Sequence, residues 1–206
     1  MLKLPVHCAL EQCDSELTVL LGAKFGEPDQ PSRPSQLAAC LGTHFKQFLI
    51  FDFHRMPSGR PELLKSHPLF DWLPASIAAE ISPQIVMQDD GLKLCGLIDE
   101  AWDEDALVCV YSHVDAEQVI QHLQNALHLD VCGKLNLDAK SMLGYCWPSV
   151  LSQLLTYRTH GFAQALMGCV GAILIEVPGK PGGWKIFLAD SETNLIDDGI
   201  FQKFEY

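Results

Sequence analysis

Apolar positions along this chain fall into two patterns, and each pattern predicts a different element. Unbroken runs of branched and aromatic residues predict buried strands: FLIFDF at 48–53, ALVCVYS at 106–112 and GAILIEV at 171–177. QIVM at 84–87 predicts another, and GGWKIFL at 182–188 is expected to pair with the 171–177 strand across a Gly/Pro turn. Helical spacing is clearest in SHVDAEQVIQHLQNALHL, where Ala116, Val119, Ile120, Leu123 and Leu127 recur on one face. Ser112 is its expected N-cap, with Asp115 completing a capping box. His122 and His128 fall off the apolar stripe and are expected to face solvent, being six apart rather than at metal-ligand spacing.

A second helix is predicted from Pro148, which suits a first turn, with Val150, Leu151, Leu154 and Leu155 inward and His160-Gly161 as its end. FAQALMG then makes a shorter turn. LPASIAAEI at 73–81 predicts a helical turn inside a Pro-punctuated stretch, and Ser35 is expected to cap a short helix through QLAACLGTHF. LKLCGLID fits helix or strand. Cys132-Gly133 predicts a turn, and KLNLDAKSMLGY an irregular crossing.

These elements predict an α/β fold, a single compact mixed sheet with flanking helices, either as one unit or as two small lobes. GEPDQPSRPS at 26–35 cannot sustain a helix or ladder, so residues 1–35 are expected to form an N-terminal extension and linker. The α/β domain then runs over 36–190, and 191–206 is an acidic tail with Phe201, Phe204 and Tyr206.

Composition narrows the function classes. Apolar residues make up 48% and charged residues 19%, which argues against disorder, and no apolar run reaches the roughly 18 residues of a membrane span. Pro5 and His7 interrupt what a signal peptide would need as an apolar stretch, so a cytoplasmic protein is expected. Eight cysteines form no C-x-x-C clip and mostly sit in apolar runs, which reads as buried free thiols. Against 14 basic residues stand 26 acidic ones, a net charge of -12 that disfavours nucleic acid and anionic membrane and leaves a basic protein partner open.

Candidate chemistry is sparse. Cys146 at a helix N-terminus has the position of an activated thiol, but His160 lies about 20 Å away along the same predicted helix. Asp52, His54 and Arg55 sit at a strand end, where an acid/base pair competes with a polar cluster held by turn hydrogen bonds. Ser112-His113 lacks a nucleophile elbow. Asp99, Glu100, Asp103, Glu104 and Asp105 lack the alternation and glycine of a calcium loop, and no phosphate-binding glycine motif is present. No catalytic, cofactor or metal residue is assigned.

The order of elements resembles the domain of unknown function 4123 family. YSHVDAEQVIQHLQNALHLDV (111–131), GYCWPSVLSQLL (144–155), FAQALMGCVGAILIE (162–176) and Trp184 carry the resemblance, with FLIFDF and HPLFDWLPASIAAEISPQIV matching more loosely. The family usually has Arg-Phe-Tyr-Asp-Pro where this chain has Gly144, Tyr145, Cys146 and Trp147 before Pro148, so the expected Asp cap and Arg partner are missing. The resemblance implies an adaptor or chaperone of bacterial type VI secretion that binds an effector and helps load it onto the VgrG spike protein. It also implies that Cys146 and Trp147 are parts of a helix entry. Asp99, Glu100, Trp102, Asp103, Glu104, Trp147, Phe201 and Phe204 are the residues expected to meet a partner. Two rival readings are an immunity protein that blocks a toxin and a cysteine hydrolase using Cys146.

Overall fold

Strand β1 (Lys46–Phe51) runs through the middle of a six-stranded sheet and shows why its sequence is apolar without a break. Phe48 and Ile50 project to one face, Leu49 and Phe51 to the other, and all four are fully buried. The computed structural model describes residues 34–35, 38–39, 45–61, 64–88, 94–129, 144–157, 160–177, 179 and 183–188. Further along lie β2 (His67–Pro68), α1 (Ala75–Ile81), β3 (Gln84–Met87), α2 (Cys95–Ala101) and β4 (Leu107–Ser112). They are followed by α3 (Ala116–Ala126), α4 (Pro148–Tyr157), α5 (His160–Met167), β5 (Ala172–Glu176) and β6 (Trp184–Leu188). Strand order is β2-β3-β1-β4-β5-β6.

Every pairing in the sheet is antiparallel, so the expected single sheet with flanking helices forms without the parallel pairs a mixed sheet would contain. Both faces of its centre are covered. Helices α3, α4 and α5 lie over Phe48, Ile50, Val108, Val110, Ile173 and Ile175, contributing Val119, Leu123, Leu151, Leu155 and Leu166. Helix α2 covers the opposite face with Ile98 and Ala101, against Leu49, Phe51, Leu107, Cys109 and Leu174. Burying each large side chain of this kind stabilises the fold by about 1.5–3 kcal/mol, which is why period-2 alternation is absent from these strands.

The predicted strands at 48–53, 84–87, 106–112, 171–177 and 182–188 all form, within a residue or two at their ends. In the ambiguous LKLCGLID, the residues from Cys95 onward belong to α2, with Leu94 at its N-cap. Three expectations are corrected. Ser112 belongs to β4, where its hydroxyl donates to the Cys169 carbonyl at 2.6 Å; Asp115 holds the N-cap position with no side-chain cap bond, and its carboxylate pairs with Lys46 at 3.0 Å. His160 opens α5 instead of ending α4. His122 and His128 do not face open solvent: His122 donates to the Leu166 carbonyl at 2.6 Å, and His128 lies edge-on to Trp72 with centroids 4.9 Å apart.

Gly168, at φ 36, leaves the space that the His122 ring occupies. Ser35 is itself helical, and its amide donates to Asp99 at 3.0 Å. The expected extension up to residue 33, the 132–133 turn, the 134–143 crossing and the 191–206 tail lie outside the described residues. Cys95, Cys109, Cys146 and Cys169 are free thiols. No helix among the described residues is long and apolar enough to cross a membrane.

Candidate functional site

Two places could carry function, and the first is a polar junction where β1 and β5 end and β4 begins, against the start of α4. The chain leaves β1 through Asp52, whose amide donates to the Ala106 carbonyl at 2.9 Å. Asp52 Oδ1 accepts the His54 amide at 3.2 Å, closing a tight Asx-type turn, and Oδ2 accepts Trp147 Nε1 at 2.8 Å. That turn places the Arg55 guanidinium 5.1 Å above the Trp147 ring, 3.5 Å from Asp52 Oδ2 and 2.5 Å from Asp105 Oδ2. Asp105 in turn accepts the Ser149 amide at 2.6 Å and the Ser149 hydroxyl at 2.7 Å.

Asp105 therefore caps α4 from a different part of the chain, and Arg55 supplies a cation over the aromatic ring. GYCWP holds no carboxylate and no cation of its own, and Asp105 and Arg55 supply both through space. Gly144 completes the joint, because a Cβ there would sit 2.5 Å from Trp147 Cε3. The turn at 103–105 is held by Glu176, the buried last residue of β5, whose carboxylate accepts the amides of Asp103 and Asp105. Both aspartates are left-handed, at φ 69 and 54, a conformation that costs an ordinary side chain about 1–2 kcal/mol. Burial pushes the Glu176 carboxyl up to about 7, against the two donated amides and with the help of the Asp105 and Asp103 charges.

Chemically the junction is a set of tethers. The His54 ring turns away to the Glu80 carbonyl, so it forms no acid/base pair with Asp52. Cys146 is fully buried; desolvation first, and the Asp52 charge second, push its thiol up to about 12. A thiol so placed stays protonated at neutral pH and cannot reach a substrate from solvent. Among the described residues no group of three or more His, Cys, Asp or Glu is poised to hold a metal ion.

Of the four acidic residues expected to meet a partner, Asp99 and Glu100 bond to other parts of the molecule. Asp99 accepts the Ser35 amide, and Glu100 accepts the Ser58 amide at 2.6 Å and the Ser58 hydroxyl at 2.7 Å. Trp102 is only 5% exposed and packs in the core, its Nε1 without a hydrogen-bond partner among the described residues. Asp103 and Glu104 are exposed at the junction's rim, beside Asp105, and Trp147 is half-buried there. Phe201 and Phe204 lie outside the described residues.

The second place was not singled out from sequence. Among the described residues the exposed large hydrophobics are Trp72 at 46%, Ile77 at 44% and Ile81 at 50%, all within one ten-residue stretch. Ile77 and Ile81 are one turn apart on α1, which buries only Ala78. Polar bonds to its last carbonyls hold this helix down. Gln84 donates to Ala78 at 3.1 Å, Arg60 to Ala79 at 2.9 Å, and the His54 ring to Glu80. Trp72 is fixed by stacking on Phe70 at 5.2 Å and by His128. The signal that could have found this ridge is the pair of isoleucines flanking small residues in ASIAAEI, which read equally well as an inward face.

Compared with protein-family models, curated proteins and solved structures, the chain matches none.

Proposed function

We propose that this protein is a non-enzymatic adaptor that binds a type VI secretion effector in the cytoplasm and helps load it onto the VgrG spike. The observation that carries the reading is the ridge of Trp72, Ile77 and Ile81, three large apolar side chains held outward on a rigidly tethered segment. Such a patch is what a protein-binding surface requires: preformed apolar anchors whose burial supplies affinity. Further support comes from the resemblance of 111–131, 144–155 and 162–176 to the effector-adaptor family, and from the helix entry at Cys146 and Trp147, whose side chains serve packing.

The test is co-expression with type VI effector and spike proteins from the same genome. A stable complex that Ile77→Asp weakens supports the reading. The absence of any complex with effector or spike overturns it, and a complex that neutralises the toxin without engaging the spike replaces it with the immunity-protein reading.

A further inference from the structure

We infer that the α1 ridge receives an apolar segment flanked by lysine or arginine, a basic amphipathic stretch of a partner chain. This deepens the adaptor reading and rests on it for the partner's identity, while the chemistry of the surface stands on three features of the ridge itself.

The first is the inverted use of α1. A surface helix normally turns its large apolar residues to the core, yet here Ala78 points in and Ile77 and Ile81 point out. The helix keeps its place through bonds from Gln84, Arg60 and His54 to its terminal carbonyls, so its isoleucines are not needed for its own packing. The second is preorganisation. Trp72, at the entrance to α1, is clamped between Phe70 and His128, and an anchor that is already immobile loses little entropy on binding.

The third feature is charge, and it selects the occupant. Asp71 and Glu80 are exposed beside the ridge: Asp71 adjoins Trp72, and Glu80 adjoins Ile81 on α1. Among the described residues neither carboxylate is in an ion pair. The Arg60 guanidinium is directed at the Ala79 carbonyl and the Ser66 hydroxyl, and the His54 ring at the Glu80 carbonyl. A second copy of this chain would bring another Asp71, another Glu80 and another net charge of -12 to the same face, which like-charge repulsion opposes. A segment carrying Lys or Arg on either side of its apolar residues meets the isoleucines with one part and the carboxylates with the other. An anionic membrane is disfavoured by the same charge.

The experiment uses the full chain with two synthetic amphipathic helices that share a Leu face and differ only in carrying Lys or Glu at both ends. The Lys-flanked peptide should bind at least ~tenfold tighter, and added salt should narrow the gap. The Ile77→Asp/Ile81→Asp variant should lose at least ~tenfold in affinity for it with unchanged circular dichroism. Asp71→Lys/Glu80→Lys should reverse the preference, and this variant decides the matter if the isoleucine variant is unstable. Equal affinity for both peptides overturns the inference. So does self-association that Ile77→Asp abolishes, or equally strong binding to lipid vesicles. Peptide discrimination without any effector complex would sink the adaptor reading alone; a complex insensitive to both ridge variants would sink this inference alone.

Discussion

Trp147 and Trp72 both stand just ahead of a proline that leads into a helix, and the fold treats them in opposite ways. Trp147 has its indole N–H taken by Asp52, its ring covered by Arg55 and its other side against Gly144. It ties β1, the 103–105 turn and α4 together. Among the described residues Trp72 is held through ring contacts, and it leaves almost half its surface to solvent. The lesson is that a tryptophan at a helix entry is drawn into a joint when polar groups from distant segments converge on it, and stays open to solvent when neighbouring rings support it instead.

The largest expected effects come from breaking the joint. Gly144→Val should force the Trp147 ring out of place and lower stability by about 2–3 kcal/mol, the usual cost of overpacking a tight contact. Asp105→Ala removes the acceptor for the Ser149 amide, the Ser149 hydroxyl and Arg55 and puts alanine at φ 54, so about 2–3 kcal/mol should be lost. Asp105→Asn, which tolerates the left-handed region, should recover part of it. Urea unfolding followed by circular dichroism measures both; a cost below about 0.5 kcal/mol for Asp105→Ala would show that the cap is ornamental.

A second way to sharpen the contrast is pH. Glu176 has a folded-state carboxyl raised from 4.5 to about 7, so the folded chain binds its proton more tightly than the unfolded one does. Its contribution to stability is therefore complete below about 4.5 and is lost as pH rises towards 7, with no further change above that value. Glu176→Gln should flatten that part of the stability-against-pH curve, whose height is on the order of 3 kcal/mol. An identical slope in the variant would mean that other groups produce it.

Thiol labelling tests the sealed side of the joint. Peptide mapping should find Cys95 alkylated in the native protein, while Cys109 and Cys146, both pushed up to about 12, react only on unfolding. Rapid native labelling of Cys146 would reopen the hydrolase reading. The smallest stability change belongs to the ridge. Trp72→Ala and Ile77→Asp should stay within about 1 kcal/mol of the native protein while partner binding falls, the reverse of what Gly144→Val does.

Where both faces of a strand are buried, the sequence was legible: FLIF, LVCVY and AILIE are apolar without a break because helices cover both sides. The apolar stripe of α3 and the Pro148 start of α4 were equally readable, since periodicity and a missing N–H are local properties. The Ser112 cap failed because a hydroxyl near a helix start also had the Cys169 carbonyl within reach, and only the β4–β5 pairing reveals that. The acidic cluster hides its own contacts for a similar reason. Charge density says nothing about whether Asp99 and Glu100 point to water or to amides 64 and 42 residues away in sequence.

The sequence by itself determined the five longer strands and the helices α3 and α4, and that a thiol and an indole would sit where α4 begins, because those outcomes depend on residue shape and hydrophobic spacing. Tertiary structure alone decided that Asp105 caps that helix, that Arg55 covers Trp147, and that Ile77 and Ile81 face outward. These depend on which distant carboxylates, carbonyls and rings come within about 3 Å of one another, and a hydrogen bond has no signature in either partner until the chain has folded.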